Sequence, residues 1–171
     1  MLTISTVIQE PKGKQDRIQR NAIESWLQIP NAQIVFTGEI PYSQDYASEY
    51  MDPPDRFMNV RSILRVKGLP YLDVCYKAMM FWGIYDIKMM VNSDIMLRNV
   101  EEAVFMAERQ ADRFLIIGKR KDCSIGRIDI NGDWEKQFDQ AFAQGKWHHN
   151  SALDYFIFKG DLFSDIPAFQ Y

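Results

Sequence analysis

The chain has 171 residues, of which 47% are apolar, 25% charged and 13% aromatic, and its formal net charge is -3. That length suits one domain with a real core, and that balance is ordinary for a soluble globular protein and too aromatic for disorder. The weak net charge, with Lys and Arg spread along the chain, argues against a general nucleic-acid or membrane partner.

Leu2 to Ile8 carries β-branched residues on both faces and predicts a central strand. The N-terminal stretch has no basic leader and no cleavage site, so it reads as that first strand rather than as a signal peptide. After Pro11 and a Lys12-Gly13-Lys14 loop, Ile18, Ala22, Trp26 and Ile29 recur at helical spacing from Gln15 until Pro30-Asn31 stops the helix. Gln33 to Thr37 is a second strand, so the first forty residues predict a parallel β-α-β unit with a right-handed crossover.

Residues 41 to 56 are polar and aromatic, with a short helix expected at Gln44 to Tyr50 and a break at Asp52-Pro53-Pro54-Asp55. A short strand is expected within Phe57 to Val66, then a loop at Lys67-Gly68-Leu69-Pro70. Tyr71 to Trp82 follows as a helix whose core stripe is Leu72, Tyr76, Met79 and Met80. Gly83 closes it, and Ile87 to Val91 is a nearly continuous apolar strand of the kind covered on both faces. Asn99 is a candidate cap for the next helix, with Glu101 and Glu102 in its first turn and Val100, Ala103, Val104, Ala107 and Ala111 as its buried stripe. Arg113 to Gly118 reads as another buried strand, and Lys119-Arg120-Lys121-Asp122 as a charged loop. Asn131-Gly132-Asp133 is a turn and cap for a helix from Trp134 to Ala143, with Trp134, Phe138, Ala141 and Phe142 on one face and Gly145 as its stop. Ala152 to Phe158 is strand-like. Alternating strands and helices predict an α/β fold with a mainly parallel central sheet flanked by helices.

Cys75 and Cys123 stand far apart, form no Cys-x-x-Cys, and make no finger spacing with His148 and His149. They read as reduced thiols, which points to a cytoplasmic protein. No apolar run approaches the roughly 20 residues that would span a bilayer. The chain has no Gly-x-Gly-x-x-Gly, no Walker lysine motif, no Gly-x-Ser-x-Gly and no His-Glu-x-x-His. A ligand site at the rim of this sheet must therefore use carboxylates and loop backbones. Asn92-Ser93-Asp94, at the carboxyl end of the Ile87 strand, offers that chemistry where open α/β sheets bind ligands. A hard divalent cation takes oxygen ligands and needs only one or two protein carboxylates when phosphates complete its shell. If the turn stays extended, residues 92 and 94 face one side. The same tripeptide also suits an ordinary structural turn.

Around that turn, Gly68-Leu-Pro-Tyr-Leu, an apolar helix and Met90-Val-Asn-Ser-Asp-Ile-Met-Leu follow in order. The set resembles GT-A glycosyltransferases, especially bacterial and viral nucleotide-diphospho-sugar transferases, in which an Asn-Ser/Ala-Asp-Ile turn stands in for the Asp-x-Asp motif. Arg20-Asn-Ala-Ile-Glu-Ser-Trp-Leu, the strand Ile34 to Glu39, Leu115-Ile-Ile-Gly-Lys-Arg, and Leu153-Asp-Tyr-Phe-Ile-Phe with Ile166-Pro-Ala-Phe extend the likeness over nearly the whole chain. The resemblance implies one GT-A-like domain over 1–171 that uses Mn²⁺ or Mg²⁺ and a nucleotide-sugar donor, UDP- or GDP-linked, to glycosylate an unknown acceptor. It places Asp94 at the metal and diphosphate, with Asn92 beside it. Gln9, Glu10 and Glu39 fall near the nucleoside, Arg120 near phosphate or acceptor, and Asp154 at the catalytic, acceptor side.

Two departures shape what it implies. The turn holds one carboxylate where many relatives hold two. The sequence also ends at Phe169-Gln-Tyr171, where relatives continue into Gly-Arg and Trp-Asp-Asn-Trp, which implies a C-terminal part outside this chain. The alternative is a non-catalytic nucleotide-sugar-binding or interaction domain. Residue by residue, Glu39 also reads as a solvated loop acid, Arg120 as part of a solvated charged run, and Asp154 as a turn cap or a partner for lysine. His148-His149 reads as a surface pair or as a pair reaching metal or phosphate.

Overall fold

The computed structural model describes residues 1–38, 46, 57–61, 65–66, 69–70, 72–149, 153–160 and 162–163. Strand β1, Leu2–Ile8, leads into helix α1, Gly13–Leu27, and then β2, Ala32–Gly38. β3, Phe57–Arg61, is followed by a two-residue pair, β4 (Arg65–Val66) and β5 (Leu69–Pro70), and by helix α2, Leu72–Trp82. Then come β6, Ile87–Val91, helix α3, Val100–Gln110, and β7, Leu115–Gly118. β8 (Lys121–Asp122) and β9 (Lys146–Trp147) flank helix α4, Trp134–Gln144, and β10 is Tyr155–Lys159.

Six strands form one sheet in the order β3-β2-β1-β6-β10-β7. β3, β2, β1 and β6 are mutually parallel, whereas β10 runs antiparallel to both β6 and β7. The sheet is therefore mixed, with its parallel half as the sequence predicts. Each antiparallel ladder fixes where its ends meet. Tyr155, the first residue of β10, sits opposite Val91 at the end of β6 and opposite Gly118 at the end of β7. The rim that gathers the carboxyl ends of β1, β2, β6 and β7 thus also receives the start of β10.

The two faces of the sheet differ in chemistry. On one, Leu2, Ile4 and Ile8 of β1, Ile34 and Phe36 of β2, Met89 of β6 and Ile157 of β10 form one apolar cluster with Ala22, Ile23 and Trp26 of α1. Period-two alternation puts Thr3, Ser5, Gln33, Thr37 and Lys88 on the other face, all buried. Buried polar groups need partners. Thr3 donates to Gln33 Oε1 (3.1 Å), and Ile84 N (3.0 Å) donates to the same oxygen. Lys88 Nζ donates to Gly83 O (2.9 Å) just past the end of α2. The apolar part of this face lies further along, where Tyr76 and Met79 of α2 pack on Phe158.

Several expected details change. β7 is not a buried strand but the sheet edge, with Leu115 41% and Ile117 47% exposed. Its apolar run signals two faces in contact, but on one of them no described element covers it. Leu69–Pro70 pairs with Arg65–Val66 instead of forming a free loop. Asn99 stands at the N-cap of α3 in the left-handed region (φ 56°) and makes no side-chain cap bond; Asp133 likewise makes none at α4. Of the α3 stripe, Val100 is buried and Val104 and Ala107 half-buried, whereas Ala103 and Ala111 are exposed. Of the α4 face, Trp134 is buried and Phe142 exposed. Both helices are amphipathic in sequence, yet each buries little of its apolar stripe. The helix expected at 44–50 and the 52–55 break lie outside the described residues, apart from Tyr46, which is helical and buried. No helix among the described residues is long and apolar enough to cross a membrane.

Candidate functional site

The turn after β6 is built by its own backbone and by α1. Ile95 N donates to Asn92 O (3.2 Å), closing a four-residue turn. Ser93 is buried between exposed Asn92 and Asp94, while Ile95 and Leu97 return to the core. Trp26 Nε1 donates to Ile95 O (2.9 Å), and Leu97 N donates to Ser25 Oγ (3.1 Å). The Ser25-Trp26 end of α1 is thereby the anchor that fixes where the turn projects.

The turn forms one wall of a cleft of about 520 Å³, within the range of small-ligand sites. Ser5 and Gln9 come from β1 and the residues after it, and Cys75 from α2. Met90, Asn92, Ser93 and Asp94 come from β6 and its turn, and Leu153, Asp154 and Phe156 from the start of β10. Burial pushes the Cys75 thiol up to about 12, so it enters the cleft as a protonated, weakly polar wall rather than as a nucleophile.

Asp154 is the buried charge of this cleft. Its backbone is locked into the rim, with Asn92 N donating to Asp154 O (3.2 Å) and Asp154 N to Gly118 O (3.4 Å). Its Oδ1 accepts from Arg120 Nη1 (2.8 Å) and from Asn92 Nδ2 (3.4 Å). Its Oδ2 is buried and has no hydrogen-bond partner among the described residues. Ser5 Oγ, also lining the cleft, is buried and without a partner as well. Groups of this kind cost about 1–3 kcal/mol each unless something satisfies them, so they mark a place that a polar ligand or water fills. Gly118 makes the approach possible: a Cβ there would stand 1.6 Å from the Tyr155 ring.

Each residue singled out in the sequence can now be placed. Asn92, Asp94, Asp154 and Gln9 line the cleft. The Gln9 backbone is already occupied, its N–H donating to Gln19 Oε1 (2.9 Å) and its carbonyl accepting from Gln19 Nε2 (3.1 Å), which leaves only its exposed side chain for a ligand. Glu10 is exposed, pairs with Lys12 (2.5 Å) and does not line the cleft. Glu39 lies outside the described residues. Arg120 stands behind Asp154, not in the cleft wall, and is held by carboxylates on both sides: Asp154, and Asp122 Oδ1 (3.1 Å from Nε).

His148 and Asp122 complete this arrangement. The β8–β9 pairing sets Asp122 opposite Lys146, and His148 N donates to Arg120 O (3.1 Å). His148 Nδ1 lies 2.6 Å from Asp122 Oδ2, and both ring nitrogens lie 3.4 Å from Arg120 Nη2. The hydrogen bond from His148, then the nearby Arg120, holds the Asp122 carboxyl below the usual carboxylate range. The Arg120-x-Asp122 spacing was a usable signal, because residues two apart on a strand face one side; nothing in the sequence joined it to His148. Both cysteines are free, Cys75 buried and Cys123 exposed.

The metal reading has a partial fit. Asp94 supplies a carboxylate and Asn92 an amide oxygen, both hard donors. Among the described residues, no group of three or more His, Cys, Asp or Glu side chains comes together to hold an ion. A cation here would need ligand phosphates and water for most of its shell.

No protein-family model matches the chain, and no curated protein matches it. Among solved structures, the chain is similar to one from Desulfovibrio desulfuricans G20, provisionally described as a nucleotide-diphospho-sugar transferase. That match has a TM-score of 0.49 and 14% identity, and it covers 95% of this chain and 64% of the other. The chain thus spans less than two thirds of that structure's length.

Proposed function

We propose that the cleft binds a nucleotide-diphosphate sugar together with a divalent cation and that the domain passes the sugar to an acceptor. The observation that carries this reading is convergence: the Asn92-Ser93-Asp94 turn and the unsatisfied Oδ2 of Asp154 line one cleft at the carboxyl rim of the sheet. The resemblance of the turn and its neighbours to GT-A transferases supports the same assignment. Asp94 and Asn92 would hold Mn²⁺ or Mg²⁺, and the bound cation would supply Lewis-acid stabilisation of the leaving diphosphate.

The chain's own groups do the rest. Ser5 Oγ and the Gln9 side chain offer hydrogen bonds along β1 to the donor. Asp154 Oδ2 would accept a hydrogen bond from an acceptor hydroxyl and then its proton, while Arg120 on Oδ1 keeps the carboxylate in one orientation. Leu153 and Phe156 supply apolar walls.

A thermal-shift screen against UDP-, GDP- and CMP-sugars, with and without Mn²⁺, tests the reading. A ligand that binds only the native state raises stability by about 2.7 kcal/mol at a hundred times its Kd. The expected result is a Mn²⁺-dependent shift for one nucleotide class. A screen in which no nucleotide sugar shifts unfolding refutes donor binding, and binding without transfer or slow donor hydrolysis makes this a binding domain.

A further inference from the structure

We propose that His148 and Asp122 are positioning residues for Asp154, acting through Arg120, so that protonation of His148 changes how the guanidinium holds the carboxylate in the cleft. The inference rests on the donor reading only for what the cleft binds; the linkage itself stands on geometry.

Four side chains form one chain of contacts. Asp154 Oδ1 accepts from Arg120 Nη1, Arg120 Nε donates to Asp122 Oδ1, and Asp122 Oδ2 meets His148 Nδ1. The second terminal nitrogen of Arg120 closes the loop on the imidazole at 3.4 Å. In the neutral ring Nδ1–H donates to Asp122 Oδ2, and Arg120 Nη2 lies equally near both ring nitrogens, at 3.4 Å.

Protonation by a solvent proton breaks that pattern at a single point. Nε2 takes up the proton, and the imidazolium and the guanidinium then face one another across 3.4 Å as two cations. Nη2 must then withdraw from the ring, and the guanidinium is left with Asp122 and Asp154 as its partners. The charge of the four groups rises from -1 to 0 at the same step, which favours an anionic ligand in the cleft.

Among the described residues, the charged groups in contact with His148 are Asp122 and Arg120, and through Arg120 also Asp154. Lys121 lies between them in sequence but turns to the other side of the β8–β9 pair, where it donates to Phe142 O (2.9 Å). His149 follows in the chain and is exposed. Histidine is the residue type suited to this role, because its ordinary pKa of about 6.5 puts the charge change near physiological pH. The contacts join the β8–β9 pair to the start of β10. Asp122 and His148 touch Asp154 only through Arg120, so their effect on it must pass through the guanidinium.

The experiment uses the full chain, isotope-labelled for NMR, with no ligand. The His148 ring and the Asp154 side-chain carboxyl carbon are followed from about pH 5 to about pH 8, the window of imidazole titration. The expected result is a step in the Asp154 signal at the midpoint of the His148 ring. His148→Gln should abolish that step with the fold retained. Asp122→Asn, which takes one carboxylate away from the guanidinium, should reduce the step at Asp154. Arg120→Ala should leave His148 titrating but silence the step at Asp154. An Asp154 signal that ignores His148, or a step that survives His148→Gln or Arg120→Ala, overturns the proposal. A second arm repeats the Mn²⁺ and nucleotide-sugar shift across the same pH range. The shift should grow toward low pH in the wild-type chain and stay flat in His148→Gln. Absence of any shift at every pH counts against donor binding alone, while the carboxyl signal still decides the linkage.

Discussion

Asp154→Ala separates a functional carboxylate from a structural one, because the structure predicts opposite effects on binding and on stability. The substitution removes the bond from Arg120 Nη1 to Oδ1 at 2.8 Å, a charged hydrogen bond of about 1.5–3 kcal/mol. The longer contact from Asn92 (3.4 Å) comes from an exposed side chain and adds little. Against this stands Oδ2, buried without a partner, whose removal recovers about 1–3 kcal/mol of desolvation. Arg120 does not become an orphan, since Asp122 and His148 still contact it and it is partly exposed. The terms nearly cancel, so the unfolding free energy should change by less than about 1.5 kcal/mol, or under about 6 °C in Tm for a chain of this size. Denaturant unfolding measures this directly, and the nucleotide-sugar shift is measured on the same sample. The expected pair of results is near-normal stability with the ligand shift lost or strongly reduced. A loss of about 3 kcal/mol or more would mean a buried ion pair had been broken for structure's sake, and the argument from the unsatisfied oxygen would be refuted.

Three further outcomes follow from the same geometry. Asp94→Ala should leave stability within about 0.5 kcal/mol, as for an exposed surface change, yet erase the Mn²⁺-dependent part of any nucleotide-sugar shift; an unfolded variant would make Asp94 a structural turn residue. Trp26→Phe leaves Ile95 O without the indole donor and opens space in a fully buried site, so it should cost about 2–4 kcal/mol and weaken ligand binding through the displaced turn, read by denaturant unfolding and the shift assay. Cys75 has a folded-state pKa raised by burial from 9.0 to about 12, so its contribution is complete below pH 9 and is lost as pH rises toward about 12. Cys75→Ala should therefore flatten the fall in stability across that window, and in the native wild-type chain a thiol reagent should modify Cys123 quickly and Cys75 only after unfolding.

The local code of this chain was largely legible. Residues 2–8, 32–38 and 87–91 are strands where apolar and β-branched runs predict them, and α1, α2, α3 and α4 lie within a residue or two of their periodic stripes. Period and turn chemistry act over a few residues, so a single sequence carries them. Burial depth was less legible. The stripes of α3 and α4 look like core in sequence, but how far a helix sinks depends on what it meets, and Ala103, Ala111 and Phe142 remain exposed. The same holds for β7, whose Leu115 and Ile117 would suit an interior strand and instead occupy an edge.

Residue pattern alone carries the α/β alternation, the parallel β1-α1-β2 start and the polar turn at 92–94. The sequence also marked Asp94, Asn92 and Asp154 as residues to watch. Only the tertiary structure decided that Asp154 meets that turn. Strand direction is the reason: β10 runs against β6 and β7, so its first residues fall at the rim where those strands end. The same rim then receives Arg120 from the end of β7, with Asp122 and His148 behind it across β8 and β9. Apart from Arg120 and Asp122, which are neighbours in sequence, these contacts span 26 to 62 positions in the chain. No spacing rule reaches that far, because which strands pair, and in which direction, is settled by the whole sheet closing over its core.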